Sequence, residues 1–296
     1  MRRILLTRTA LLIVAGLIGV LVLAAAQLPV VGAGALLHPS RRSVRVPAPQ
    51  GCASASFPGR DVSLEGWTCP TTAPPSRGTL IYLHGIADNR TSGSGVIRRF
   101  TAKGFDVVTY DSRAHGESGG DACTYGYFEK EDLRLVMDHV RATDVVLVGT
   151  SLGAAVALQT ASDPRVKAVV AAESFSGLRS IAAERAPFVF TERLINKAFA
   201  LVEQQAHFRV DDVSPLSAAG SIVAPVLVIH GEDDTETSPD HARRLFAALP
   251  GPKWLILVPG AGHSQSLGRE VWTEIDRWID AALAPAPVIS KPRLRP

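Results

Sequence analysis

Apolar residues recur along this chain with two different spacings. Short unbroken apolar runs lie at Leu80–Leu83, Val107–Tyr110, Val145–Val148, Ala168–Ala172, Val226–Ile229 and Trp254–Val258. Such runs, bounded by turn residues, predict strands buried on both faces of a parallel sheet. Between them the spacing lengthens. In Glu129–Arg141, Leu133, Val136, Met137 and Val140 recur at i, i+3, i+4 and i+7 and share one helix face. Leu152–Ala161, Asp240–Ala248 and Glu270–Leu283 also predict helices, and Asp61–Trp67 predicts a strand–turn–strand. Strands alternating with helices predict a doubly wound, mostly parallel α/β sheet. The alternation breaks between Ser174 and Val223, where helix-like stretches such as Thr191–Gln204 occur without a strand. A long excursion between two sheet strands predicts a small helical cap over the functional site, at about residues 175–222.

The N-terminus has no amphipathic period at all. Arg2, Arg3 and Arg8 precede an uncharged stretch from Ala10 to Leu37. A membrane-spanning helix needs roughly 20 apolar residues, and this stretch exceeds that. Residues 1–39 therefore read as a membrane anchor or a signal peptide, with the basic flank inside. Ala24-Ala25-Ala26 offers a signal-peptidase site, which would leave a secreted protein. The apolar run continues past it through Val30, Val31, Leu36 and Leu37, which favours a retained anchor. Both readings put the main domain, residues 40–284, outside the cytoplasm. The Pro-rich segment 285–296 reads as a disordered tail.

Composition excludes some classes. The 296 residues carry a formal charge of +3, without a Lys/Arg cluster interleaved with aromatics, so nucleic acid is not a predicted partner. The three cysteines, Cys52, Cys69 and Cys123, form no C-x-x-C pair and have no histidine at zinc spacing, so no metal is predicted. Cys52 and Cys69 are either a disulfide of an exported domain or two structural thiols.

In an open α/β sheet the ligand lies beyond the C-terminal ends of the strands. The run Val145–Val148 leads into Gly149-Thr150-Ser151-Leu152-Gly153-Ala154, a G-x-S-x-G turn that exposes a serine between a strand and a helix. A serine hydroxyl is a weak nucleophile and needs a base. Trp254–Val258 leads into Pro259-Gly260-Ala261-Gly262-His263, which offers His263. The base needs a carboxylate partner. Val226–Ile229 leads into His230-Gly231-Glu232-Asp233-Asp234, where Asp234 is preferred; Asp233, and Glu173 after Ala168–Ala172, are the rivals. Acyl transfer also needs donors for an oxyanion. The backbone amides of Leu152 and of Ile86, after His84-Gly85, are the candidates, with Gly85 letting the chain turn. His84 reads as structural.

These motifs resemble the α/β-hydrolase superfamily, especially its membrane-anchored ABHD and Bem46-like serine hydrolases. The resemblance rests on His84-Gly85 with Asn89, on Asp111–Ser118, on Gly149–Gly153, and on His230–Asp234 followed by Gly262-His263. It implies the α/β-hydrolase fold, with Ser151 as nucleophile, His263 as base, Asp234 as acid, and Ile86 and Leu152 as the oxyanion hole. It implies a structural role for Asp111 and His115, and no cofactor. The expected activity is hydrolysis of a small-molecule carboxylic ester or thioester, including lipid or acyl substrates. The alternatives are a prolyl-oligopeptidase-like serine peptidase and a non-catalytic binding protein of the same fold. Phe188, Phe190, Phe199 and Phe208 are candidate acyl-pocket residues.

Overall fold

The computed structural model describes residues 2–284. The segment 285–296, expected to be a disordered tail, lies outside them. The chain opens with a long helix, α1 (Arg2–Leu37), followed by a hairpin of β1 (Ala53–Gly59) and β2 (Val62–Cys69). Then come β3 (Thr79–Leu83), α2 (Ser94–Thr101), β4 (Asp106–Tyr110), α3 (Glu129–His139), β5 (Val145–Thr150), α4 (Leu152–Thr160) and β6 (Val166–Ala172). Helices α5 (Leu178–Arg185) and α6 (Glu192–Ala206) follow in the stretch expected to form the cap, and then α7 (Pro215–Ala219), which packs against α4. The chain returns to the sheet with β7 (Val226–Gly231), α8 (Asp240–Ala248), β8 (Lys253–Val258) and α9 (Arg269–Ala282).

The strands form one eight-stranded sheet in the order β1-β2-β4-β3-β5-β6-β7-β8. The β1–β2 and β2–β4 pairs are antiparallel, and the rest are parallel. This is the mostly parallel doubly wound fold that the sequence predicts. The apolar runs are unbroken because successive side chains enter different cores. Ile81, Leu83, Val145 and Leu147 join the core containing Leu133, Val136 and Met137 of α3. Leu80, Tyr82, Val146 and Val148 face the opposite core, with Phe100 of α2 and Ile279 of α9.

The predicted strand–turn–strand at Asp61–Trp67 is instead the second strand of a longer hairpin. Its turn falls at Arg60–Asp61, and Asp61 takes a φ of 57°. The first strand, Ala-Ser-Ala-Ser-Phe-Pro-Gly, is mostly exposed and buries only Phe57, so it carries little apolar signal. A Cys52–Cys69 disulfide ties this hairpin to the linker before it. That resolves the choice the sequence left open between a bridge and two thiols.

The helix α1 has two surfaces. Leu12, Leu17, Val20 and Leu23 are among its exposed large apolar side chains. Near its C-terminus, Ala33 and Leu37 are fully buried against Phe175, Leu178 and Phe199 in a third apolar cluster. Among the described residues, Leu11–Leu37 is the one segment long and apolar enough to cross a membrane.

Candidate active site

The turn at Ser151 is set by its glycines. Ser151 has φ 49° and ψ −112°, a conformation that costs on the order of 1–3 kcal/mol and persists only where the surroundings enforce it. A Cβ on Gly149 would stand 2.4 Å from the Gly153 backbone, and one on Gly153 would stand 2.1 Å from the Leu83 oxygen. Strand, turn and helix therefore pack this closely only with glycine at both positions. The Ser151 amide donates to Ala172 O at 2.8 Å, which pins the turn to the end of β6.

Two later loops meet this serine. His263, on the loop after β8, has Nε2 3.2 Å from Ser151 Oγ. Its Nδ1 lies 2.7 Å from Asp234 Oδ2. The other oxygen of Asp234 accepts the amides of Glu236 at 2.9 Å and Thr237 at 2.8 Å. The carboxylate is thus buried and held in one orientation. His230 Nε2 also approaches Asp234 Oδ2, at 3.2 Å, while donating to Thr237 O at 2.8 Å.

The rival acids sit elsewhere. Asp233 is exposed, and its amide bonds to Ala261 O. Glu173 is buried at the end of β6 with φ 58°. Its carboxylate accepts the amides of Ser264 at 2.8 Å and Ser266 at 3.0 Å. It therefore grips the backbone of the loop that carries His263, a role sequence reasoning missed. The available signal was its place at a strand's C-terminal end.

Leu152 occupies the first position of α4, where an amide has no partner within the helix. Ile86 lies on the turn after β3, and both residues border the same cavity as Ser151. In that turn the left-handed residue is Ala87, with φ 54°. Gly85 lies beside the serine: a Cβ there would make ordinary van der Waals contact with the Cβ of Ser151, at 3.6 Å. The cavity measures ≈ 400 Å³. Phe175, Leu178, Ile181 and Phe199 of the cap region line it, with Val31 and Leu36 of α1. Of the four cap phenylalanines singled out from sequence, Phe190 and Phe199 line it; Phe208 packs in the third apolar cluster, and Phe188 is exposed.

The remaining motif braces the floor of the site. His84 Nδ1 donates to Gly85 O at 2.7 Å, and its Nε2 accepts the Ser112 amide at 2.9 Å. Asp111 accepts the amides of Arg90 and Glu117 and pairs with the Arg90 guanidinium. His115 Nδ1 donates to Arg113 O, and its ring meets that of His84 edge-on at 5.2 Å. Burial, reinforced by neighbouring His84, pushes His115 down to about 4. An unfolded histidine titrates near 6.5, so between these values the unfolded chain binds a proton that the fold excludes. His115's contribution to stability is therefore complete above pH 6.5 and is lost as pH falls toward 4. The expected loss at pH 5 is about 2 kcal/mol. Thermal melting of the detergent-solubilised chain at pH 7.5 and 5 checks this. His115→Gln should shrink the gap between the two melting temperatures; an unchanged gap would refute the assignment.

Among the described residues, no group of three His, Cys, Asp or Glu side chains is placed to hold a metal ion. The model of the alpha/beta hydrolase family matches residues 80–274, from β3 into α9. The chain belongs to the alpha/beta hydrolase family. This hydrolase-family chain is 29% identical over 209 residues to the uncharacterized protein YqkD of Bacillus subtilis, covering 64% of its own length and 65% of that relative. It is 24% identical over 198 residues to alpha/beta hydrolase domain-containing protein 17B of Homo sapiens, covering 65% of its own length and 62% of the human protein. It superposes on the Pyrococcus furiosus esterase Pf2001 with a TM-score of 0.65 at 23% identity, over 83% of this chain and 98% of that one. At that identity the superposition speaks for the fold alone.

Proposed function

We propose that this chain is a serine hydrolase that cleaves carboxylic esters or thioesters through an acyl-enzyme on Ser151. The observation that carries the reading is the hydrogen-bonded line from Ser151 Oγ to His263 to Asp234, opening on an apolar cavity. His263 Nε2 takes the hydroxyl proton as Oγ attacks the carbonyl carbon. The oxyanion is held by the amides of Ile86 and Leu152. When the tetrahedral intermediate collapses, the carbonyl–leaving-group bond breaks and His263 hands its proton to the departing alcohol or thiol. Water then repeats the sequence on the acyl-enzyme and releases the acid. Asp234 fixes the tautomer of His263 and stabilises the imidazolium.

The esterase named among the structural relatives supports an ester as the first substrate to test. Detergent-solubilised full-length chain should hydrolyse p-nitrophenyl esters with a kcat/KM at least a hundredfold above that for aminoacyl-naphthylamides. The reverse preference would replace this reading with the peptidase one.

The same reading places α1 in a membrane, with the catalytic domain on the non-cytoplasmic side. Arg2, Arg3 and Arg8 flank one end of the apolar stretch, and Arg41, Arg42 and Arg45 flank the other. Charge bias is therefore balanced, and the Cys52–Cys69 disulfide carries the assignment, since such bonds persist in oxidising compartments.

A further inference from the structure

The last turns of α1 are built into the domain. Leu36 O accepts from Tyr125 Oη at 3.0 Å, and Leu37 O accepts the Cys123 amide at 2.8 Å. At Gly32 the helix approaches the cap so closely that a Cβ would stand 2.9 Å from the Phe190 ring and 3.4 Å from the Ala198 methyl. On the face turned toward Ser151, Val31, Gly32, Ala35 and Leu36 line the cavity. A tether needs none of these contacts.

We propose that Val31, Gly32, Ala35 and Leu36 form a wall of the acyl-binding subsite, and that the substrate is a long-chain acyl ester of a lipid taken from the membrane that α1 enters. The proposal rests on the ester-cleaving reading above. Three observations carry it. The cavity is lined mainly by aliphatic and aromatic side chains and ends at the nucleophile, so an apolar chain fits it with the carbonyl at Ser151. Leu11–Val30, at 1.5 Å per residue, is about as long as the hydrocarbon core is thick. The lining residues then lie within about 9 Å of its edge, at headgroup depth. An acyl chain can thus follow α1 from bilayer to cavity without crossing bulk water. Finally, the cap turn beside α1 leaves Phe188 99% and Val189 45% exposed, next to the Phe190 that touches Gly32. Exposed apolar side chains of this kind suit insertion into a lipid interface.

The test uses full-length protein in phosphatidylcholine vesicles. Its substrates are vesicle-held monooleoylglycerol, soluble p-nitrophenyl acetate and a soluble S-palmitoyl peptide. The variants are Ala35→Trp, which fills the cavity from α1, and Val31→Ala, which enlarges it. The ratio of oleoyl to acetyl turnover should fall at least tenfold in Ala35→Trp and change at least twofold in Val31→Ala. A ratio constant within twofold in both variants overturns the wall. Because the two substitutions act in opposite directions on volume, misfolding of the larger one leaves the other informative. Turnover of the palmitoyl peptide with monooleoylglycerol untouched overturns the lipid assignment. Failure to hydrolyse even the acetate would instead be a failure of the ester-cleaving reading.

Discussion

Ser151→Ala is expected to remove ester hydrolysis almost entirely, lowering kcat by about 10⁴-fold or more. The magnitude follows from the proposed mechanism: without Oγ no acyl-enzyme would form, and only binding and the candidate oxyanion amides would still act on water. Folding should survive. Ser151 Oγ contacts His263 Nε2, while the turn itself is fixed by the close approach of Gly149 and Gly153 and by the Ser151 amide's bond to Ala172. Alanine keeps all of those backbone features. Residues that act as one unit are non-additive. His263→Ala should therefore cost a similar factor, and the double variant little more than either alone. Stopped assays with p-nitrophenyl butyrate give kcat, and a fluorophosphonate probe reports the nucleophile directly. Persistent labelling of Ser151→Ala, with melting temperature unchanged, would mean that another residue is the nucleophile.

Much of the sheet was legible in the sequence because its central strands are buried on both sides. Val145–Val148 and Val226–Ile229 could not be continuous apolar runs in a half-solvated sheet. The candidate site was legible for a related reason: Ser151, Asp234 and His263 each follow such a run, and strand ends are where this architecture gathers its loops. What stayed hidden depends on tertiary contacts without a local pattern. The small, alternating residues of Ala53–Gly59 bury a single phenylalanine and look like linker. Glu173 resembles any other carboxylate at a strand end until the amides of Ser264 and Ser266 are seen to converge on it. In α1, hydropathy assigns Ala33 and Leu37 to the same class as Ala24 and Leu23. The first two are buried in the domain and the others are exposed, because apolar protein and lipid ask for the same side chains.

Asp234→Asn carries the second large effect, a fall in kcat on the order of 10³–10⁴. The amide can still accept the Glu236 and Thr237 N–H groups through its oxygen. That orientation turns its NH₂ toward His263 Nδ1, which stabilises the wrong tautomer and leaves Nε2 protonated against Ser151. Glu173→Gln perturbs the same histidine by a different route. The two carboxylate oxygens now divide the amides of Ser264 and Ser266 between them; glutamine meets one of those donors with a donor. The His263 loop shifts, and turnover should drop by a factor of about 10–100, as expected when catalytic groups are misplaced by an ångström. The pH profile of kcat/KM separates the two. Loss of Asp234 removes the charge that stabilises the imidazolium, so the surviving activity should move its acidic limb to lower pH. Loss of Glu173 should lower the amplitude and leave the limb where it was, which marks a residue that positions the base. Asp233→Asn, exposed and outside this network, should leave the profile intact. If instead Glu173→Gln moves the acidic limb and Asp234→Asn does not, the acid of the triad comes from β6, and the roles of the two carboxylates are exchanged.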